Sequence, residues 1–573
     1  MSLGQNKVTD NTHEMSFHEL FSQATQVTIP LFQREYVWTE KQLKRMIEEI
    51  DIIQNGEDTN RFLGAVIAVR RSANPSEPQP YEIVDGQQRL STLYLFVLAA
   101  AAVAAKNNEN DYAKAIINTN LIIDWWSGTN TKLIPSFADR GQFCNAFQQL
   151  INSGDLSDWL GTKAKLPAKS GSDSGKYINQ FNRIKQFLQK RYDEYGIDHL
   201  KEIIGIAQTK LTFVFILLKD PATATTVFEG LNDSGVPIGI GDLVRNEVFS
   251  KIGNDSTKAE AVHRDLWLPF RNKLGDYFDK YFFPYALIQD SNLNSSDLFR
   301  GLRKIWGDVS NPEEIIKKLE DYSDSYLALC IGEYPTSFSK PISLALDKLV
   351  FSRCPTSVFP FMMKLLNEYT LGNVTEKDTI DCIKIIESFM VRRAIAGLEP
   401  TGLLGFFRSA WNACSGKPDA TILTQVINNR NTIEWPDDTR IRTSILSRNI
   451  YSSHLRKYLL KEYDLSLGSD DAKNEFWIEH IMPQKLNTEW SQIISDKDHQ
   501  ELLHTWGNLI PLTKEMNQSV SQSLFEVKSK EFETHSVFAS ARKLSSEYKK
   551  WDKEEILKRS SIIAEWAINR WSK

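Results

Sequence analysis

Residues 81–90, Tyr-Glu-Ile-Val-Asp-Gly-Gln-Gln-Arg-Leu, join a strand pattern to the start of a helix. Tyr81 to Val84 is β-prone, and Asp85-Gly86 is a turn signal that ends the strand. From Gln87 onward the residues favour a helix. Its apolar stretch, Leu90 to Ala105, falls short of the roughly 20 residues that cross a bilayer. We therefore predict a strand that turns directly into a buried helix.

Similar patterns lie on both sides of this turn. A capping-box pattern from Thr39 to Gln42 predicts a helix start, and segment 228–249 is assigned to the same region. Further strand patterns occur at residues 27–32, 62–69 and 211–218. The sequence predicts an α/β domain over residues 15–250.

The rest of the chain favours helices. Residues 251–465 contain few strand-like runs and are predicted to form an α-helical middle domain. Residues 466–573 combine two strand-like runs, 476–481 and 506–512, with helices, and end in an amphipathic helix after Trp551. The predicted fold class is a helix-rich, multidomain α+β protein.

Composition narrows the class of protein. With 41% hydrophobic and 25% charged residues, the chain can bury hydrophobic cores. Its five cysteines form no CxxC pair, so neither a disulfide framework nor a cysteine zinc site is indicated. No secretory signal or membrane span is visible, which predicts a cytoplasmic protein without a membrane partner. A net charge of −5 means that DNA contact needs a local basic patch.

Four polar residues near the C-terminus have the chemistry of a one-metal phosphodiesterase. Glu479 and His480 follow a β-prone run, Asn508 lies in a second one, and Asn517 lies in the predicted helix beyond it. His480 is the predicted general base, because an unperturbed imidazole has a pKa of about 6.5. Glu479 and Asn517 offer oxygen ligands for Mg²⁺ or Mn²⁺, and Asn508 would orient the histidine or its loop. The alternative is a hydrogen-bonded core histidine with asparagines that cap turns.

The turn formed by Asp85, Gly86, Gln87, Gln88 and Arg89 is a candidate anion site. Backbone N–H groups at a helix N-terminus attract phosphate, and the Arg89 guanidinium can face the same anion. No GxxxxGK[ST] motif occurs, so this is not a P-loop. The alternative is an ordinary capped turn.

A second N-terminal set comprises Gln33, Arg34, Tyr36 and Trp38. Aromatic rings beside an amide and a guanidinium suit a pocket that stacks on a base or accepts a backbone phosphate. The alternative is that Tyr36 and Trp38 are core aromatics.

The C-terminal set resembles the HNH, or ββα-metal, nuclease module of GmrSD-type (type IV, modification-dependent) restriction endonucleases. The pattern there is EHxxPQ, then GNLxxL, then an Asn followed by a second Asn, a Phe and a Lys. Gln522 stands where the second helix asparagine is expected. The matching residues are Glu479, His480, Pro483, Gln484, Gly507, Asn508, Leu509, Leu512, Asn517, Phe525 and Lys528.

The N-terminal region resembles the DGQQR domain of the same proteins, which is related to the ParB and sulfiredoxin fold. The resemblance implies that Asp85, Gly86, Gln87, Gln88 and Arg89 bind and hydrolyse GTP or ATP, coupled to recognition of modified DNA. Arg245 stands where the family usually has Lys. The remaining matches are Ile29 to Trp38, Phe228 to Asn232, Gly235, Asp242, Leu243 and Asn246.

The interpretation favoured by these features is a modification-dependent DNA endonuclease of anti-phage defence. Nucleotide hydrolysis in the N-terminal domain would be coupled to cleavage or nicking of double-stranded, modified phage DNA by the HNH domain. The oligomeric state is left open, a homo-oligomer included. Two alternatives are a nucleotide-dependent DNA-binding regulator with a non-cleaving HNH clamp and a toxin-like nuclease indifferent to modification.

Overall fold

The computed structural model describes residues 9–22, 25–30, 33, 35–70, 79–125, 128–161, 163–218, 239–252, 256–469 and 475–573. By packing, the chain divides into two compact units. Unit 1 comprises residues 1–272 and 306–316, and unit 2 comprises residues 273–305 and 317–573. The predicted division into three domains stays a prediction.

The described strands of unit 1 are β1 Thr9–Ser16, β2 Thr25–Thr28, β3 Arg61–Arg70, β4 Gln79–Asp85, β5 Ile122–Trp125, β6 Gly128–Thr131, β7 Leu133–Ile134, β8 Ala164–Lys165 and β9 Leu211–Leu218. Six of them form a mixed sheet with the strand order β1-β9-β3-β4-β2-β7. The pairs β9/β3, β4/β2 and β2/β7 are parallel, whereas β1/β9 and β3/β4 are antiparallel. A smaller sheet joins β5, β6 and β8.

The core of unit 1 is built around helix Gln87–Lys106, which packs against helix Lys176–Thr209. Helix Gln87–Lys106 is long and apolar enough to cross a membrane, but almost all of it is buried within the protein. It is therefore a core helix, as predicted. The other described α-helices before residue 275 are Phe17–Phe21, Glu40–Gln54, Asn110–Ile116, Arg140–Ile151, Ser157–Leu160, Ile240–Ser250, Ser256–Val262 and Leu268–Leu274.

Helices dominate the chain after residue 275, as predicted for its middle region. They are Phe278–Gln289, Leu298–Ile305, Pro312–Glu320, Ser323–Ile331, Lys340–Phe351, Phe359–Thr370, Glu376–Ala396, Leu403–Ala413, Ala420–Asn428, Asp438–Ser447, Arg456–Ser466, Trp490–Ile493, Asp496–Leu502, Lys514–Val520, Phe525–His535, Ala539–Glu547 and Lys553–Arg570. The last of these is called the C-terminal helix below.

Two short antiparallel strands stand among these helices, β10 (Trp477–His480) and β11 (Leu509–Leu512). Helix Lys514–Val520 begins two residues after β11 and packs against β10. The helix-rich, multidomain α+β class is confirmed. The assignments to the ParB/sulfiredoxin and ββα-metal folds stay predictions.

Candidate active site

His480 lies at the end of β10 with its side chain buried. Its Nε2 atom lies 3.0 Å from Nδ1 of His504, and its Nδ1 atom lies 3.2 Å from Nε2 of Gln484. Burial, and next the charge of His504, lowers the pKa of His480 to about 3. The imidazole is therefore neutral near pH 7 and has one nitrogen lone pair that can accept a proton.

His504 is a site residue that the sequence analysis missed. It follows helix Asp496–Leu502, and its ring is stacked with that of Tyr451 at a centroid distance of 5.3 Å and an interplanar angle of 13°. The Tyr451 ring also lies 4.6 Å from the ring of His480. Both residues reach the site only through tertiary packing, so no local spacing in the sequence marks them.

Asn508 organises the loop that follows β10. Its Oδ1 atom accepts hydrogen bonds from the backbone N–H of Met482 (2.7 Å) and from Nε1 of Trp551 (3.1 Å). Its Nδ2 atom donates to the carbonyl oxygens of Met482 (3.0 Å) and Leu503 (2.9 Å). An amide has two donor hydrogens and two acceptor positions, so its capacity is used. Asn508 is thus a positioning residue that fixes the backbone next to His480.

Glu479 forms a buried ion pair with Lys528 of helix Phe525–His535. The Lys528 ammonium also donates to the carbonyl oxygen of His480 at 3.0 Å. Burial raises the pKa of Glu479 and lowers that of Lys528, while their mutual contact opposes both shifts. The pair ties β10 to this helix through one carboxylate oxygen, Oε1.

Asn517 presents a polar atom with no protein partner. It lies in helix Lys514–Val520, whose N-cap is Thr513. Its Oδ1 atom is buried and makes no hydrogen bond. Leaving a buried acceptor unsatisfied costs about 1–3 kcal/mol. This oxygen is therefore suited to a cation, a water molecule or another polar ligand.

The binding of one hard divalent cation by Glu479 and Asn517 stays a prediction, and their oxygen atoms have the chemistry that such a cation prefers. Among the described residues, no group of three or more histidine, cysteine, aspartate or glutamate side chains could hold a metal. Mg²⁺ is compatible with this, because it is usually held by one or two protein ligands together with water and substrate phosphate. Oδ1 of Asn517 and the second carboxylate oxygen of Glu479 are the donors that the predicted pair offers.

The turn before β11 lies against the C-terminal helix. A methyl group on Gly507 would lie 2.6 Å from the carbonyl oxygen of Ile556, so only glycine fits without a shift. The buried Arg559 donates to the carbonyl oxygens of Gly507 (2.6 Å) and Leu509 (3.1 Å). The strand predicted over 506–512 is corrected here: residues 506–508 form a 3₁₀ turn, because this packing holds them there.

In unit 1, Gly86 makes the predicted change from strand to helix. It follows Asp85, the last residue of β4, and has a φ of +89°. A Cβ atom on Gly86 would lie 2.8 Å from Cγ2 of Val66 and 3.0 Å from the carbonyl oxygen of Ala65. Glycine is needed both for this backbone conformation and for this close approach.

Arg89 lies against β3 and is half-buried. Its Nη1 atom donates to the carbonyl oxygen of Ala65 at 2.9 Å, and a Cβ atom on Gly64 would lie 3.1 Å from the guanidinium carbon. A guanidinium has five N–H donors, and this hydrogen bond uses one of them. Gln87, at the first position of the helix, is buried.

The side chain of Gln88 is hydrogen-bonded to the backbone of residues 35–38. Its Oε1 atom accepts from the backbone N–H groups of Val37 (2.9 Å) and Trp38 (3.3 Å), and its Nε2 atom donates to the carbonyl oxygen of Glu35 (3.3 Å). The backbone of residues 35–38 thus engages both ends of the Gln88 amide, and the contact of Gln88 with a nucleotide stays a prediction. These hydrogen bonds connect the turn at residues 85–89 to the segment that carries Tyr36 and Trp38.

Tyr36 is a core residue, and the prediction that its ring stacks on a base is wrong. The residue is 2% exposed, and its hydroxyl lies 2.6 Å from Oγ1 of Thr92. Its ring packs edge-on against Tyr177 at 5.3 Å. Its backbone N–H donates to both carboxylate oxygens of Asp139, at 3.0 and 3.1 Å.

Gln33 and Trp38 are half-buried. Nε2 of Gln33 donates to the carbonyl oxygen of Val84 at 3.3 Å, which places Gln33 beside β4. Trp38 packs against the core of unit 1. Arg34 lies outside the described residues.

Helix Ile240–Ser250 carries the described part of the third N-terminal match. Asp242 and Arg245 form a 2.9 Å salt bridge, and Oδ1 of Asn246 is buried without a hydrogen bond. The residues predicted from 228 to 235 lie outside the described part of the chain.

The sequence of this chain is similar to those of known proteins. Residues 17–249 match the N-terminal domain of GmrSD restriction endonucleases, and residues 435–566 match the C-terminal domain of GmrSD restriction endonucleases. The uncharacterized protein MJ0686 of Methanocaldococcus jannaschii is 24% identical over 305 residues, which cover 50% of this chain and 50% of that protein. The two domain matches together cover more than half of the chain and include every candidate site residue named above. The chain therefore belongs to the GmrSD family of restriction endonucleases.

Proposed function

We propose that the chain is a modification-dependent DNA endonuclease of anti-phage defence that acts in the cytoplasm on double-stranded phage DNA. The observation that carries the proposal is the arrangement around His480. A buried neutral imidazole adjoins a carboxylate on β10, and the helix packed on that strand carries a buried amide oxygen without a partner. These are the groups that metal-assisted phosphodiester hydrolysis requires.

His480 would act as the general base. The lone pair of its acceptor nitrogen takes a proton from water, the resulting hydroxide forms a bond to phosphorus, and the bond from phosphorus to the 3′ oxygen breaks. Negatively charged DNA phosphate near the ring would oppose the lowering of its pKa. Glu479 and Asn517 would hold Mg²⁺ or Mn²⁺, which supplies charge stabilisation at the leaving oxygen.

The N-terminal motifs would bind and hydrolyse GTP or ATP. Asp85, Gly86 and Gln87 lie where β4 turns into the helix, and the N–H groups at that helix start attract phosphate. Arg89 adds N–H donors beside the same turn. Gln88 contributes by fixing residues 35–38.

Recognition of modified DNA is assigned to Gln33, Arg34 and Trp38. The support is the hydrogen bonding of Gln88 to residues 35–38, which joins this set to the proposed nucleotide site. Nucleotide hydrolysis can thereby respond to a mark on DNA.

The second candidate, a non-cleaving HNH clamp in a DNA-binding regulator, is favoured by one observation. The ion pair with Lys528 neutralises the charge of Glu479, which a cation would otherwise use. The same structure would then grip DNA without hydrolysing it.

Cleavage by matched variants separates the two candidates. His480→Ala should lower DNA cleavage by about 10²–10⁴-fold, the usual contribution of a general base, and leave nucleotide turnover intact. His535→Ala, at an exposed histidine of the same unit, is the control. EDTA should stop cleavage, and Mg²⁺ or Mn²⁺ should restore it. Full cutting by His480→Ala would remove His480 from the mechanism, and no cutting by the metal-supplied wild type would favour the clamp.

A further inference from the structure

His480 belongs to a chain of three side chains that runs Gln484, His480, His504. The contact from Gln484 is at Nδ1 of His480 and the contact to His504 is at Nε2, at 3.2 and 3.0 Å. Both ring nitrogens of His480 therefore have a partner. A neutral imidazole carries one donor N–H and one acceptor nitrogen, so its two partners must play opposite roles.

The direction of this chain follows from the amide of Gln484. Its Nε2 atom can only donate, so Nδ1 of His480 accepts and Nε2 of His480 carries the hydrogen. Nδ1 of His504 then accepts that hydrogen. In this tautomer the basic lone pair of His480 is at Nδ1, where the Gln484 amide donates, and the Nε2 hydrogen is donated to the acceptor nitrogen of His504.

The His504 ring is itself held in place. Its backbone carbonyl accepts from the N–H of Ile450 at 2.9 Å, and its ring is stacked with Tyr451. The preceding carbonyl, that of Leu503, accepts from Asn508 at 2.9 Å. The orientation of His504 is thus set by backbone and ring contacts as well as by the contact with His480.

We propose that His504 is a positioning residue for the nuclease reaction, and that it fixes the tautomer of His480, together with Gln484, by accepting the Nε2 hydrogen. The proposal rests on the proposed function of His480 as the base. The water proton goes to Nδ1 of His480, where it replaces the hydrogen bond from Gln484, while the Nε2 hydrogen stays on His480 in contact with His504. The leaving 3′ oxygen departs with the electron pair and takes a proton from solvent, and His480 later returns its extra proton to solvent.

Two substitutions distinguish the role of the His504 Nδ1 atom from the role of the His504 ring. His504→Phe keeps a ring for Tyr451 but removes the acceptor, whereas His504→Asn keeps a polar group near the position of Nδ1 and removes the ring. Outer partners of this kind typically contribute about 10–100-fold to activity. We expect His504→Phe to lower kcat by about that factor with KM for DNA unchanged, and His504→Asn to recover most of kcat.

The tautomer itself is measured on the full chain with nitrogen-15-labelled histidine, with His480→Ala used to assign the signals. The expected result is a single Nε2–H tautomer of His480 in the wild type and in His504→Asn, and a mixture in His504→Phe. A wild-type His480 in the Nδ1–H form, or the same single tautomer and the same kcat in all three proteins, would overturn the proposal. Because the spectrum needs no cleavage, failure of the nuclease function and failure of this proposal are distinguishable.

Discussion

Asp139 is a buried carboxylate that is hydrogen-bonded to the N-terminal motif at Tyr36. Its carboxylate accepts hydrogen bonds from the N–H of Tyr36 and from the hydroxyl of Ser136, and it is 4% exposed. Burial raises its pKa to about 6, and the hydrogen bonds oppose that shift. The folded state therefore binds this proton more tightly than the unfolded chain does. The stability it contributes is present below the unfolded pKa and is lost as pH rises through about 6.

The Asp139→Asn protein should lack this pH dependence. Between about pH 5 and about pH 7.5, the wild type should lose about 1.4 kcal/mol of unfolding free energy relative to the variant. Calorimetric unfolding of both proteins across that range measures the difference. Parallel curves would show that Asp139 does not titrate as its burial indicates.

Arg89 can be tested against an exposed arginine of the same unit. Arg89→Ala should remove a charge-assisted contact with phosphate, worth about 1.5–3 kcal/mol, and so reduce GTP or ATP turnover by about 10–100-fold. Arg45→Ala, on the exposed face of helix Glu40–Gln54, should leave turnover unchanged. Wild-type turnover in the Arg89 variant would contradict a role of Arg89 in nucleotide binding and favour the alternative that residues 85–89 are only a structural turn.

Residues that act through local spacing could be predicted from the sequence, and residues that act through tertiary contacts could not. The capping box of Thr39 and Gln42 is present, because it depends only on neighbours three residues apart. The contacts of the buried Arg392 could not be predicted from local spacing either. It donates to the carbonyl oxygens of Pro436 and Ile568, which lie far from it in the sequence. Likewise, the contact of His504 with His480 depends on the packing of distant segments.

At the level of elements, Gly507 permits the turn that places Asn508. Gly507→Ala should destabilise unit 2 by about 1–3 kcal/mol, because the methyl group meets the backbone of the C-terminal helix. Gly405→Ala is the matched control in the same unit. It has open space around it within helix Leu403–Ala413, and alanine there should be neutral or stabilising. Thermal unfolding of the two variants measures the difference, and equal midpoints would contradict the packing argument.

Strands were predictable where their own side chains are apolar. The β3, β4 and β9 strands carry such residues and were predicted close to their observed bounds. The β1 strand, Thr-Asp-Asn-Thr-His-Glu-Met-Ser, was missed because it is polar and is an edge strand. It forms through antiparallel pairing with β9. This pairing cannot be predicted from the β1 sequence alone.

At the level of the whole molecule, the proposed function places two activities in one chain. An endonuclease of low sequence specificity in the cytoplasm would damage its own chromosome, so cleavage needs a condition. A pocket that leaves buried polar groups unpaired can reject an unmarked nucleotide by several kcal/mol. This supports a mark on the DNA as that condition.

The most direct test compares two copies of one DNA sequence, with and without the modification of a restricted phage. Glucosylated bases, methylated bases and phosphorothioate linkages are the marks to try. With Mg²⁺ and GTP or ATP at physiological salt, the full chain should cleave or nick one marked copy at least about 100-fold faster than the unmarked copy. That mark should also stimulate nucleotide turnover, and His480→Ala should lower cutting by about 10²–10⁴-fold without changing nucleotide turnover. Equal cleavage of marked and unmarked DNA, unchanged by Gln33→Ala, would contradict the account and favour an indiscriminate nuclease.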